Sequence, residues 1–473
     1  MLGDVHARIK DGGLGITQLQ GEGVHFKIGP GSKNHGKILT ITAFMEPEAI
    51  AARVGDTPLY HAVMDSLAMG CRMIHVIPVN ASTEGSISQV KKTMTGQGSV
   101  FVEGKPINDY EVTLEFLDSG GFNEATYSFS LDGDNFTAKR SVPLDGVIDL
   151  GIGVTVRLSE HSEKAQSFLA GDKIEFSCIA PKMSNQDVLT AVRMLKSTKL
   201  NFEYAHIVGE SKKPLWAAMA VEAQEFFDKW KKPIFFVFEA ADKTEQQTLD
   251  EYTQALLTEK SNVVSWNIQV TANRVEFTAK DGKIRNTPLS NIVCGLYSRA
   301  KVNTSIGKVE EFPLNGVLKL LPEGIDDYIE ILDEAGYTTA RQYLGLEGFY
   351  ISNARSFANP VSDYIWMEHV RTVYKAIRMV RRQALYKMHM EIDPSEMETE
   401  VIALEKFLEI PLDRMVVDKE ISRAKVTIDP NQNILGTSEL KAKVSIVPMG
   451  TLRNLILEFG LVNPYLQQKQ GGK

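Results

Sequence analysis

The 473-residue chain predicts an α/β (α+β) multidomain fold: a discontinuous α/β core, an antiparallel β-domain inserted into it, and strand-like arms at both ends. Three observations carry this reading. Strand-like and helix-like patterns alternate on both sides of a long interruption. The interruption itself shows only period-two alternation and turns. Both ends have strand character but no strand-like partner nearby in the sequence.

The first part opens with a short strand at 24–28 and a second at 37–44 (KILTITAF), then helices at 47–53 and 58–69, and a strand at 73–78. The alternation resumes with a strand at 204–208, a helix at 214–230, the apolar strand PIFFVF at 233–238, and helices at 244–258 and 322–335. The two parts are expected to build one sheet, giving a core of 21–88 and 183–325.

The interruption, 89–182, has another texture. Tyr110, Val112, Leu114 and Phe116 alternate with Glu111, Thr113 and Glu115, as in a strand buried on one face. The pattern recurs in Tyr127, Phe129 and Leu131, in Val154, Val156 and Leu158, and in Ile174, Phe176 and Cys178. Turn-rich pieces such as Ser119-Gly120-Gly121 and Asp132-Gly133-Asp134 separate them.

Composition bounds the function. Net charge is −8 and the pI about 5.7, so no overall basic character points to nucleic acid. No apolar run approaches the roughly 18 residues of a membrane span, and MLGDVHARIK lacks the apolar centre of a signal peptide, so synthesis and folding in the cytoplasm are expected. Cys71, Cys178 and Cys294 are odd in number and far apart, which reads as buried thiols with no disulfide framework or metal knuckle.

Motifs for chemistry mostly fail on inspection. Gly31 to Lys37 (GSKNHGK) matches the first seven positions of a phosphate-binding loop after a strand, the basis for an alternative reading as a phosphate- or nucleotide-handling enzyme. Yet Ile38 stands where Mg²⁺ needs a hydroxyl, and a strand follows where a helix N-terminus is needed. His61 and His75 form no metal-ligand spacing, and Asp132 with Asp134 lacks the remaining oxygen ligands of a calcium loop. There is no GxSxG. No catalytic residue, metal site or cofactor is therefore assigned.

The richest pattern lies at 363–387, read as one helix. Trp366, Val370, Val373, Ile377, Val380, Ala384 and Met388 recur at steps of three and four, which places them on a face to be buried. Arg371, Lys375, Arg378 and Arg382 form an adjoining cationic row, with Arg381 beside it. Such a row is either a solvated flank or a surface for an acidic partner. Beyond it, 438–447 and 452–461 read as strands, as does the short stretch 2–9. Such terminal strands either close a sheet of their own or pair with another molecule's edge.

From Ile306 the chain resembles the sheath subunit of contractile phage tails and related injection machines. The resemblance rests on Ile306-Gly307-Lys308-Val309, Glu311-Phe312-Pro313-Leu314, Leu321-Pro322-Glu323-Gly324, Asp333-Glu334-Ala335-Gly336-Tyr337, the run 345–351 and Asn353-Ala354-Arg355. Residues 1–15 and 127–181, with Ser130-Leu131-Asp132-Gly133 and Leu169-Ala170-Gly171-Asp172, are similar to the same branch.

The resemblance implies a homo-oligomer of stacked hexameric rings around a tail tube, in a virion tail or phage-tail-like particle assembled in the bacterial host cytoplasm. Baseplate and tail-terminator proteins are the further partners it implies, with no nucleic acid and no direct membrane insertion. It divides the chain into an N-terminal arm (1–20), the core, the inserted β-domain, an inner tube-facing helical part (326–437) and C-terminal strands forming an arm (438–473). On this reading Arg371, Lys375, Arg378, Arg381 and Arg382 contact the tube, and Val5, Ala7, Lys441, Lys443, Ser445 and Val447 pair as strands between subunits.

Overall fold

The computed structural model describes residues 22–462, so the expected N-terminal arm with Val5 and Ala7 lies outside the described residues. The centre is a six-stranded sheet in the order Ile268–Thr271, Phe235–Ala240, Tyr204–Ser211, His25–Pro30, Met73–Val79 and Leu39–Thr42. All neighbours run parallel except the edge strand Leu39–Thr42. His25 stands between Tyr204 and Ile74, so the parts before and after the interruption meet side by side in one sheet.

Parallel strands covered on both faces are buried along their length, and His25–Pro30 and Phe235–Ala240 are buried at every position, polar His25, Lys27 and Glu239 included. Along Met73–Val79 the two faces divide the side chains. Ile74 and Val76 pack with helix Pro58–Ala68, while Ile77 and Val79 join Val188 and Leu195 of helix Asn185–Ser197. Helix Leu289–Arg299 lies against Pro58–Ala68 so closely that a Cβ on Gly295 would come 2.4 Å from Met69 Cβ. That helix escapes the sequence reading because it is buried nearly all round and has no polar face to set a period.

The inserted segment forms its own core. Lys173–Ile179, Tyr110–Asp118 and Thr126–Ser130 lie side by side in one antiparallel sheet, and Val154–Ser159 joins Ser99–Gly104 in another. The inward residues are those the alternation marks: Val112, Leu114, Phe116, Tyr127, Phe129, Val154, Val156, Leu158, Ile174, Phe176 and Cys178 are all buried together.

The C-terminal part gathers helices Met367–Leu385 and Met397–Val417 and strand Ile421–Ile428 around a further cluster that includes Met379, Leu408, Leu412 and Val426. Several boundaries shift from the sequence reading. The helix expected at 363–387 spans Met367–Leu385, because Trp366 is held extended by a bridge to Arg355. Helix Leu249–Lys260 starts five residues after the expected 244, where Thr248 and Glu251 close a capping box. The segment expected at 322–335 splits into a short 3₁₀ turn, Ile325–Tyr328, and helix Ile329–Glu334. Residues 452–461 form no strand, since no partner among the described residues takes up their backbone groups.

Candidate functional site

Helix Met367–Leu385 sits at the ends of the parallel strands where they begin. Tyr374 meets Asn267 and accepts a hydrogen bond from Trp266 Nε1 at 3.2 Å, and Arg378 Nη1 donates to Pro233 O at 3.3 Å. Its buried residues are Met367, Glu368, Val370, Arg371, Thr372, Tyr374, Ala376 and Met379. The face turned into the core therefore contains part of the cationic row, rotated from the expected 366/370/373/377 stripe.

Arg371 is the clearest departure, being wholly buried. Its Nε donates to Glu203 Oε1 at 2.6 Å and its Nη2 to Glu203 Oε2 at 3.1 Å, while Nη2 also reaches Tyr297 O at 3.0 Å. Burial alone would raise the Glu203 pKa, but the guanidinium outweighs it and holds the carboxyl below its usual value. Arg371 thus leaves the surface row, because its charge is used inside the chain.

Lys375 donates to Glu420 at 2.8 Å and keeps only 11% of its side chain exposed, and Arg378 is half-buried 4.0 Å from Glu22. Arg381 and Arg382, one turn further on, are exposed. The expected five-residue row therefore divides into an interior half with counter-ions and a solvent-facing pair. Glu203 and Glu420 were not foreseen, since no local spacing links an acid to a helix so far away in sequence.

The expected pairing residues also sort differently. Strand Ala442–Pro448 pairs antiparallel with Ile421–Ile428 of the same chain, with Lys443 opposite Thr427, Ser445 opposite Lys425 and Val447 opposite Arg423. Lys441 lies just before the strand, and its amide donates to Gln432 Oε1 at 2.7 Å. These residues are thus engaged within the chain on one edge. The sheet has two strands, so the other edge of Ala442–Pro448 carries no strand among the described residues.

The outer edge of Ile421–Ile428 is closed. Glu409 Oε1 accepts from the Val426 amide at 3.1 Å, and Glu405 Oε1 from the Ile428 amide at 2.6 Å. Past the strand, Arg453 stacks over Trp366 with its guanidinium 3.7 Å from the ring centre and ion-pairs with buried Glu368. Beyond this anchor Leu455, Ile456, Leu457, Phe459, Leu461 and Val462 are all exposed.

The glycine-rich turn at 31–37 is not a phosphate cradle. The amides of Gly31, Ser32 and Gly36 already donate to Val79 O, Val54 O and Pro78 O, and strand Leu39–Thr42 follows. Asp132 accepts from the amides of Asp134 and Asn135 and caps a hairpin turn. Among the described residues no group of acidic, histidine or cysteine side chains is placed to hold a metal ion, and no helix is long and apolar enough to cross a membrane.

The model of the family described as DUF2586, N-terminal domain, matches residues 2–355, and that described as DUF2586, C-terminal domain, matches residues 363–466. No curated protein matches the chain. Among solved structures, a sheath tail protein from Desulfitobacterium hafniense is similar with a TM-score of 0.51 at 12% identity, covering 94% of this chain and 100% of that one. A chain in the contracted baseplate of the anti-feeding prophage gives a TM-score of 0.52 at 9% identity, covering 97% of each. At such identities the likeness is one of fold. The chain belongs to the DUF2586 family, and its fold is that of a contractile-tail sheath protein.

Proposed function

We propose that the chain is the structural subunit of a contractile sheath, polymerising as stacked hexameric rings around a tail tube and contracting to drive that tube through a target envelope. In this role it has no catalytic step, and tube, baseplate and terminator proteins are its partners in a virion tail or phage-tail-like particle assembled in the host cytoplasm. The observation that carries the reading is the two-stranded ribbon with one closed and one open edge. Glu405 and Glu409 of helix Met397–Val417 occupy two amides on one side, where that helix packs, which leaves the edge beside Ala442–Pro448 as the place for an added strand. Contacts of this kind do not close on themselves and generate filaments.

Arg381 and Arg382 are the cations left to face an acidic tube, since Arg371 and Lys375 already have internal counter-ions. The committed amides at 31–37 weigh against the nucleotide-handling alternative.

The test is electron microscopy of the purified chain, alone and with its tube. Val444→Pro and Ser445→Pro remove adjacent amides that point to opposite edges of the strand. One of the two is expected to abolish tubules while leaving the monomer's circular dichroism unchanged. Tubules formed equally by both variants would remove strand addition at this edge. Arg381→Glu with Arg382→Glu is expected to weaken assembly on the tube, most at low salt.

A further inference from the structure

The inserted domain and the core share no apolar cluster. The domain's buried side chains, from Val100 to Cys178, pack on one another, while those of the central sheet and its helices form clusters of their own. Two bodies joined without a large apolar interface move relative to each other by default. Their angle is therefore set by polar contacts.

The chain crosses between the bodies twice, and the two crossings pair with each other. The Thr83 amide donates to Lys182 O at 3.2 Å, and the Lys182 amide to Thr83 O at 2.9 Å. Beside them Ser82 Oγ donates to Asp187 Oδ2 at 2.7 Å, and Lys182 lies 3.6 Å from Glu210. These contacts sit at the crossing itself, where a rotation displaces them least.

Beyond the crossing, the hydrogen bonds from the inserted domain to the core come, among the described residues, from two nearby side chains. Tyr110 Oη donates to Asp56 O at 3.3 Å and lies 3.4 Å from Asp56 Oδ2. Asn108 Nδ2 meets the His61 ring, 3.1 Å from Nε2. Its Oδ1 accepts from the Asp109 amide at 3.0 Å, which fixes the end of the side chain that faces the ring. Asp56 and His61 are themselves in contact at 3.0 Å, so both attachments reach one unit of the core. The side chains of that unit are 37% and 26% exposed, so water can replace what the inserted domain supplies.

A cleft of about 920 Å³ lies between the bodies, with Asn108, Asp109 and residues 179–182 on one wall and Gly209 to Lys212 on the other. His61 lines it too, so the two attachments border open space.

We propose that the inserted domain is hinged at the Thr83–Lys182 bridge and held at its angle by a latch, Tyr110 on Asp56 and Asn108 on His61. Release of the latch lets the domain turn about the bridge and changes the width of the cleft. The inference concerns a single chain and stands apart from the sheath role.

The test is the distance between spin labels at Ala138→Cys and Ala217→Cys in the full chain, one exposed alanine on each body, with Cys71, Cys178 and Cys294 all buried. One narrow distance distribution is expected without further change. Tyr110→Phe keeps the ring, which packs on the inserted domain's own cluster, and together with Asn108→Ala it is expected to broaden the distribution at least twofold. Tyr110→Phe alone is expected to fall between. Hydrogen exchange of the strand amides in both bodies is expected to stay the same, which a loss of folding would not allow. An equal distribution in the double variant, a distribution already broad before it, or faster exchange throughout the inserted domain's strands overturns the proposal.

Discussion

Arg371 and Glu203 form a wholly buried, two-pronged ion pair across 168 residues of sequence. Glu203 also accepts from the Gly23 amide at 2.7 Å, and Arg371 also donates to the carbonyl of Tyr297 and stacks over its ring. One pair of side chains therefore joins the C-terminal helix to the start of two central strands and to helix Leu289–Arg299. The remaining lone pairs and donors are satisfied, which is what allows such a pair to persist without water.

Arg371→Met is expected to destabilise the chain by about 3–5 kcal/mol, because it strands a buried carboxylate. Adding Glu203→Leu is expected to restore much of that loss, since an apolar pair leaves no charge uncompensated. Urea midpoints of the two single variants and the double variant measure this. Equal loss in the double variant would show that packing, not charge, sets the cost.

Acid should weaken the fold above the ordinary carboxylate range. Burial, reinforced by Lys27, pushes the pKa of His25 and of His206 well below the usual histidine value of 6.5. Both stay neutral when folded but take up protons when unfolded, so stability is present above about pH 6.5 and is lost as pH falls below it. His25 stacks on Tyr204 at 4.8 Å, a geometry phenylalanine can keep. His25→Phe is expected to lower the pH slope of the unfolding free energy by about one proton between pH 6 and 5, read from urea titrations.

Glu239 works in the opposite sense. Burial raises its carboxyl to about 7, against the lowering effects of Arg274 and the Gly209 amide, while Glu210 and Asp242 add to the rise. The folded chain therefore holds a proton that the unfolded chain releases near 4.5, so stability falls as pH rises from about 4.5 to 7. The cost is fully present above pH 7, on the order of 3 kcal/mol. Glu239→Gln is expected to match the parent near pH 4.5 and to melt higher at pH 8. Identical melting curves at pH 8 would mean the carboxylate is not strained there.

Legibility in the sequence followed the range of the forces involved. The inserted β-domain was readable because one-sided burial writes a period of two, as in Val112, Leu114 and Phe116. Helix Leu289–Arg299 was not, because burial on all sides erases the period. Helix Asn185–Ser197 left a signal that went unread, the capping box of Ser184 and Asp187. The cationic row shows the limit most clearly. Spacing places Arg371 and Arg382 on one flank, but only the distant Glu203 decides that one is interior and the other exposed.

Arg453 is expected to anchor the terminal segment. Its guanidinium stacks over Trp366, which also carries Arg355 at 4.6 Å, and it meets Oε1 of Glu368, a carboxylate 3% exposed whose Oε2 has no hydrogen-bond partner among the described residues. After it come six large apolar side chains, all exposed, which supply no competing anchor within the chain. Arg453→Ala removes both the stack and the counter-ion, a loss of about 1–3 kcal/mol confined to this attachment. The amides of Ala442–Pro448 that bond to Ile421–Ile428, the last paired ones before Arg453, should then exchange hydrogen faster by roughly tenfold or more, while those of the central sheet are unchanged. Arg453→Lys keeps the charge but not the planar stack, so its exchange should fall between the two. Unchanged exchange in Arg453→Ala would place the anchor elsewhere, in the ribbon pairing of Ala442–Pro448 alone.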